Sequence, residues 1–510
     1  MPDTYIGAID QGTAGTRFMV FDREGRVVAN AYERHEQIYP EPGWVEHDPV
    51  EIWEAAQRAV TTALSRATLD PTQLAALGIA NQRETTVVWD EDTGKPVHNA
   101  LVWQDRRTTD RVDDLEADAT VERIRETTGL EPDAYFSATK TEWILDHADP
   151  IETNRARSED LRDRAEAGEL LTGTIDSWLI YNLTGEHVTD VTNASRTMLY
   201  DVHAGEWDDA LLEEFGVPES MLPEVRPSSD EATYGSTDPD GFLGAEVPVA
   251  GALGDQQAAL FGQTCFDEGD AKNTYGTGSF LLMNTGEEAV SSEHGLLTTI
   301  GFQRSGEPVQ YALEGSIFAT GAAIEWLEDV DLVDDPRETA RLARSVDSTD
   351  GVYVVPAFTG LGAPHWDGRA RGTIVGMTLG TGRAHIVRAT LESIAYQTRD
   401  VVAAMEADAD VEMGRLRVDG GAVKNDFLCQ LQTDVLQTGI VRPRVDETTA
   451  LGAAYAAGLA VGYWDSLEEL RSNWQVDREF DPEMDPETAN ARYDRWSDAV
   501  ERSLDWARTE

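Results

Sequence analysis

At 510 residues the chain exceeds one compact core, and a prior of roughly 100 to 200 residues per domain implies two large domains or three smaller ones. Its 95 acidic against 41 basic residues give a formal charge of -54, spread along a chain that is still 41% hydrophobic; this reads as a folded protein adapted to molar salt and argues against a nucleic-acid partner. Only four lysines remain beside 37 arginines, the two cysteines lack metal or disulfide spacing, and no 18-residue apolar run or basic-then-apolar start is present, which together predict a soluble cytoplasmic protein.

Residues 5–9 form a β-branched run, Gly12 to Gly15 break it, and residues 17–21 and 26–31 continue it, which predicts a three-stranded antiparallel meander. Asp48, Pro49 and Glu51 then open a helix whose apolar positions Ile52, Ala55, Ala56, Ala59, Val60 and Ala63 recur at helical spacing. Residues 74–80 read as a buried parallel strand and 85–89 as another strand. A polar helix start is expected over 103–118, a solvated helix over 150–170, and a helix over 174–183 ending at Gly185. The Pro-, Gly- and Asp-rich stretch 218–248 approaches a domain boundary, placed between 253 and 254.

The opening pattern then returns. Residues 270–275, the turn Gly276-Thr277-Gly278 and residues 279–284 repeat the first hairpin. Helices are expected over 317–327, 383–405, 425–436 and 449–459, strands over 351–358 and 415–418, and an acidic helical tail from 466. The predicted fold class is therefore α/β, with two similar halves, 1–253 and 254–510, facing each other across a cleft. Each Gly-Thr turn can aim backbone N–H groups at phosphates.

Asp10 ends the first strand beside such a turn, where a carboxylate would repel phosphate unless a cation lay between them; it is a magnesium candidate, and Arg17 can reach the same phosphates. No Walker or GxGxxG pattern is present. Arg83 and Glu84 follow a buried strand's carboxyl end, where ligands of α/β proteins bind, and suit either a polyol or a surface ion pair. Trp103 and Tyr135-Phe136 place aromatics among polar residues. Gly254-Asp255-Gln256-Gln257 opens a small-residue helix, and nothing local separates Asp255 as a helix cap from Asp255 as a base.

Taken with Gly43-Trp44-Val45-Glu46-His47-Asp48-Pro49, Asn81-Gln82-Arg83-Glu84-Thr85-Thr86, Asn273-Thr274-Tyr275-Gly276-Thr277-Gly278, Gly360-Leu361-Gly362-Ala363-Pro364-His365-Trp366-Asp367 and Thr449-Ala450-Leu451-Gly452-Ala453-Ala454, these residues resemble the glycerol kinases of the sugar and polyol kinase family. The resemblance implies two RNase H-like domains of the actin-like ATPase fold flanking a nucleotide and substrate cleft. It also implies transfer of a phosphoryl group from ATP, with Mg²⁺, to glycerol, with a related xylulose-type kinase or a non-metabolic actin-like ATPase as alternatives. By it, Asp255 is the catalytic base, and Arg83, Glu84, Trp103, Tyr135, Asp255, Gln256 and Phe280 hold glycerol. Thr13, Ala14, Gly15, Arg17, Thr277, Gly321, Gly421 and Asn425 hold the nucleotide, and Asp10 the metal. A homo-oligomer, dimer or tetramer, fits the resemblance. Three departures stand out: Ala14-Gly15-Thr16 lacks the usual hydroxyls after the first Gly-Thr, Glu325 replaces a common Gln near the adenine, and residues 238–246 lack the Gly-rich, Arg-ending loop that binds an inhibitory sugar bisphosphate in bacterial members.

Overall fold

The opening hairpin sets the first sheet. A Cβ on Gly15 would lie 2.4 Å from the Glu33 carbonyl oxygen, so the third strand can pass this close only beside a glycine. In the computed structural model, which describes residues 4–116, 120–148 and 161–507, strands Tyr5–Gly12, Gly15–Phe21 and Val27–Arg34 pair antiparallel as the expected meander. Leu74–Asn81 runs parallel to Tyr5–Gly12 on its other side, and Val249–Gly254 runs parallel to Leu74–Asn81. Numbered in chain order, these five strands stand in the order 3-2-1-4-5.

The second sheet repeats that order. Ala271–Tyr275 and Ser279–Gly286 form its hairpin, Gln310–Ile317 is the third strand, and Leu416–Gly420 and Ile440–Pro443 add in parallel on the far side. Leu297–Phe302 and Val476–Phe480 extend the two edges. Both hairpin turns thus lie at the carboxyl ends of the first strands of their sheets.

Helices cover each sheet for reasons written in their sequences. Pro49–Ala67 begins where Asp48 Oδ1 accepts the Val50 N–H at 2.8 Å, and its stripe Ile52, Ala56, Ala59, Val60 and Ala63 is buried on the first sheet. Arg383–Ala409 and Asp426–Leu436 bury Leu391, Ile394, Val401, Leu428 and Leu431 on the second sheet. Between the sheets, Asp255–Gly262 crosses Thr448–Ala460 almost without side chains: a Cβ on Gly452 would meet the Ala258 oxygen at 1.8 Å, and one on Gly262 the Thr448 oxygen at 2.0 Å. Gly78 and Gly251 let Thr448–Ala460 press onto the first sheet in the same way, so a helix late in the chain completes the core of the early half.

Several expectations need correction. The helix expected over 317–327 starts only at Gly321, because residues through Ile317 are held as a strand by pairing with Ser279–Gly286, and through Glu314 also with Leu297–Phe302. The strand expected over 351–358 shrinks to Tyr353–Val355. The tail from 466 is not all helical: Val476–Phe480 forms an edge strand on Ile440–Pro443 between helices Leu467–Asn473 and Pro486–Glu501. The helix expected to start near Trp103 starts at Thr109. Of the helix expected over 150–170, Leu161–Glu166 is helical, Leu170–Thr174 is a strand, and residues 149–160 lie outside the described set.

Candidate active site

Asp255 lies where the two halves touch. The cap position of its helix is Gly254, and Asp255 is the first helical residue, its Oδ1 accepting only the neighbouring Gln256 N–H at 2.7 Å. The carboxylate is therefore not spent on capping. Gly254 is required for what lies beside it, since a Cβ there would sit 2.7 Å from the Arg83 side chain. Arg83 Nε stands 3.3 Å from Asp255 Oδ1, and the Asp255 side chain keeps 30% of its surface open to the cleft.

Arg83 is fixed from behind by a residue the sequence reading did not single out. Glu314, on the third strand of the second sheet, accepts from Arg83 Nη1 at 2.5 Å and Nη2 at 3.0 Å. Arg196 joins this cluster, donating from Nε to Glu84 Oε1 at 2.7 Å and from Nη2 to Glu314 Oε1 at 3.1 Å. Four charged side chains, Arg83, Glu84, Arg196 and Glu314, are thus almost wholly buried as two cations against two anions. Burial alone pushes a carboxyl pKa up, yet the two guanidinium groups hold Glu314 down at about 2. Glu84 carries a backbone φ of +60°, an uncommon conformation for a residue with a side chain, and one held here by the surrounding network.

Aromatic rings complete the pocket. Trp103 and Tyr135 meet edge to face at 5.6 Å, Arg196 lies over the Tyr135 ring at 5.7 Å, and Arg83 lies over Phe280 at 5.8 Å. The loop carrying Tyr135 is clamped by the buried Lys140, whose ammonium donates to the carbonyls of Ala134, Tyr135 and Phe136 at 2.8, 2.5 and 3.0 Å. Burial draws Lys140 down to about 7, and Glu84 opposes this. Polar groups flanked by rings suit a small molecule that carries hydroxyls on a short carbon frame.

The first hairpin turn adjoins this pocket through one bond: Trp103 Nε1 donates to Thr13 Oγ1 at 2.9 Å. Asp10 and Arg17 face each other across the first hairpin, Ala14 is exposed at its turn, and Arg17 is ion-paired with Glu447 from the second half. Burial and the nearby Glu447 and Asp255 push Asp10 up to about 7, with Arg17 opposing them. Among the described residues no group of three or more His, Cys, Asp or Glu side chains is placed to hold a metal ion, so Asp10 stands as a single candidate ligand. On the other side, Gly321 N–H donates to the Gly276 oxygen and Ala322 N–H to the Thr277 oxygen, both at 3.0 Å, so Thr277 and Gly321 are neighbours. Tyr275 and Gly420 are register partners, which brings Gly421 to the same edge. Asn425 caps Asp426–Leu436 through its Oδ1, so its carbonyl oxygen is already committed to the protein.

Besides Glu314 and Arg196, the sequence reading missed Lys272 and Glu447. A solitary acid inside the apolar stretch of residues 311–317, and a lysine in a chain with four, were signals for Glu314 and Lys272; Arg196 offered none.

Residues 5–262 and 271–461 match the N- and C-terminal domains of the FGGY family of carbohydrate kinases. The chain belongs to that family. This FGGY protein is 76% identical, over 100% of both chains, to glycerol kinase of Haloquadratum walsbyi, and 55% identical to glycerol kinase of Geobacillus kaustophilus over 98% of this chain and 99% of that one. The glycerol kinase of Plasmodium falciparum solved with ADP superposes with a TM-score of 0.91 at 38% identity, covering 98% of each chain. A xylulose kinase from Lactobacillus acidophilus shares the fold with a TM-score of 0.85 at 21% identity, over 98% of this chain and 97% of that one. The two FGGY domains thus take the actin-like ATPase fold expected from the sequence.

Proposed function

We propose that this FGGY kinase phosphorylates a terminal hydroxyl of glycerol with ATP to give sn-glycerol 3-phosphate and ADP. The observation that carries this reading is the junction of Arg83, Glu84 and Asp255 with the rings of Trp103, Tyr135 and Phe280, one bond from the Thr13 turn. The near full-length identity to glycerol kinases supports the same substrate.

In this reading Glu84 and Arg83 accept from and donate to the glycerol hydroxyls, and the rings cover its carbons and exclude water. Asp255 takes the proton of the attacking hydroxyl as that oxygen bonds to the γ-phosphorus and the bond to the β-phosphate oxygen breaks. Phosphoryl transfer asks mainly for position and neutralised charge, so a carboxylate at the cleft floor suffices as base. Thr13, Ala14, Gly15 and Arg17 face the transferring phosphates from one half, and Thr277, Gly321, Gly421 and Asn425 hold the nucleotide from the other. Asp10 would hold Mg²⁺, which supplies charge neutralisation on the phosphates. Among the described residues no helix is long and apolar enough to cross a membrane.

A coupled ADP-release assay with ATP, Mg²⁺ and a panel of glycerol, xylulose, gluconate and other polyols in molar KCl tests this reading. Glycerol should give the highest kcat/KM; a ketose preferred over glycerol overturns it.

A further inference from the structure

We infer that Lys272 is a positioning residue of the substrate pocket, acting through the side-chain amide of Gln256. The inference rests on the glycerol reading above. Lys272 is wholly buried on the first strand of the second sheet. Its ammonium donates to Gln256 Oε1 at 2.5 Å, to Thr274 Oγ1 at 3.0 Å and to the Phe280 carbonyl at 3.2 Å. An ammonium has three N–H groups, and here each has an acceptor.

The consequence concerns which end of an amide meets the ligand. An Asn or Gln side chain can turn by a half rotation and exchange its donor for its acceptor with little change of shape. Lys272 has no acceptor to offer, so it binds only the amide oxygen and fixes Gln256 with its Nε2 donors turned away from the ammonium. Gln256 adjoins Asp255, so those donors are available to a hydroxyl oxygen of glycerol while Asp255 accepts from a hydroxyl hydrogen. The same ammonium holds the backbone of Phe280, which joins helix Asp255–Gly262 to the hairpin carrying the ring under Arg83.

Composition supplies an independent argument. Lysine has been reduced to four positions, and two of these, Lys95 and Lys424, lie at the surface. Lys140 and Lys272 are the buried pair, and each spends its ammonium on three acceptors. A guanidinium carries five N–H donors on a planar fork and would leave donors unsatisfied among three acceptors. Arginine holds 37 of the 41 Lys and Arg positions in this chain but does not fit here.

The test is a double-mutant cycle on the full chain in molar KCl, with Lys272→Met, Gln256→Leu and the double variant, read with glycerol and with 1,2- and 1,3-propanediol. Wild-type glycerol phosphorylation is measured first, so that its absence counts against the proposed function and not against Lys272. Lys272→Met is expected to raise KM for glycerol about tenfold or more, the cost of one unsatisfied buried group, while KM for ATP changes less than about twofold. Preference for glycerol over the propanediols should shrink by a similar factor, and Lys272→Arg should not restore it. In the double variant the two losses should not multiply, because one acts through the other. Losses that multiply, an unchanged KM for glycerol, or full rescue by Lys272→Arg overturn the inference. Where Lys272→Met does not fold, Lys272→Gln enters the same cycle: its amide keeps two N–H donors in a similar space but adds an acceptor, so it no longer fixes which end of Gln256 meets it, and it is read the same way.

Discussion

Arg17, on the second strand of the chain, is ion-paired with Glu447, the residue that precedes helix Thr448–Ala460 some 430 positions later. The pair crosses the cleft beside Asp10. Glu447 is also the counterpart of Asp255: each ends the segment after the fifth strand of its sheet, and each opens one of the two helices that cross at Gly262 and Gly452. Neither carboxylate caps its helix. One is held by Arg83 and the other by Arg17, so the segments that follow the fifth strands of the two sheets present matched acids to the cleft.

That pairing has a consequence for nucleotide binding. Phosphate oxygens that reach Arg17 must displace Glu447, and Glu447 adds repulsion of its own. Both side chains are about one-third exposed, so solvent screens the pair and its worth is no more than about 1 kcal/mol. Glu447→Gln should tighten metal-free ADP by a factor of about two to five, measured by calorimetry in molar KCl. Weaker binding of metal-free ADP would show that Glu447 does not compete with phosphate for Arg17.

Replacing Asp255 separates binding from chemistry. Asp255→Asn keeps the shape and the bond from Gln256 N–H but cannot take a proton. The expected loss in kcat is about 10² to 10⁴, with ADP affinity within about twofold of wild type. Burial raises the Asp255 pKa and the cations Arg83 and Lys272 oppose that rise. A base must be ionised, so kcat should fall as pH drops through this raised pKa. An Asp255→Asn enzyme with wild-type kcat would remove it from the chemistry.

Glu314 carries the buried cluster. Glu314→Gln leaves Arg83 and Arg196 facing each other with only Glu84 and Asp255 nearby, at an expected cost of about 3 to 5 kcal/mol by denaturant unfolding. Its folded pKa is depressed from 4.5 to about 2, so its contribution is complete above 4.5 and is lost as pH falls from there towards 2. The acid limb of wild-type stability between those values should be shallower in Glu314→Gln. KM for glycerol should rise as well, because Arg83 loses its fixed orientation. Equal stability of the two proteins at neutral pH would mean that the cluster does not hold the cleft together.

Much of this arrangement is legible in the sequence, and the limit falls between local and distant information. The meander, the capped helix at Asp48 and the repeated Gly-Thr turn are local patterns, and each formed as read. Asp255 was visible as a polar break before a helix, but its freedom from capping depends on Gly254 and on Arg83, about 170 positions away in the chain. Glu314 pairs with Arg83 at a separation of 231 residues, and Arg17 with Glu447 at 430. Such partners follow from sheet order, which hydrophobic period does not determine. Gln310–Ile317 and Val476–Phe480 were missed for the same reason: their strand character comes from their neighbours, and the latter is exposed everywhere but Phe480.

Residues 238–246 lack the Gly-rich, Arg-ending loop that the resemblance associates with sugar-bisphosphate inhibition, and the acids Asp238, Asp240 and Glu246 are exposed there. Fructose 1,6-bisphosphate should not inhibit the enzyme at working salt. A saturable loss of activity with that ligand would contradict this.

Salt should separate the surface from the buried cluster. A charge of -54 repels itself over about 30 Å at 0.01 M salt but over only about 3 Å at 1 M. Dialysis into millimolar buffer should therefore abolish activity and the far-UV circular dichroism of the fold, and molar KCl should restore both if aggregation is avoided. Arg83, Arg196, Glu84 and Glu314 are shielded from ions by burial. The stability lost in Glu314→Gln should accordingly be nearly the same at 2 M and 4 M KCl, whereas the wild-type protein gains stability over that range. A fold and activity unchanged in millimolar buffer would mean that the acidic surface is not what sets the salt requirement.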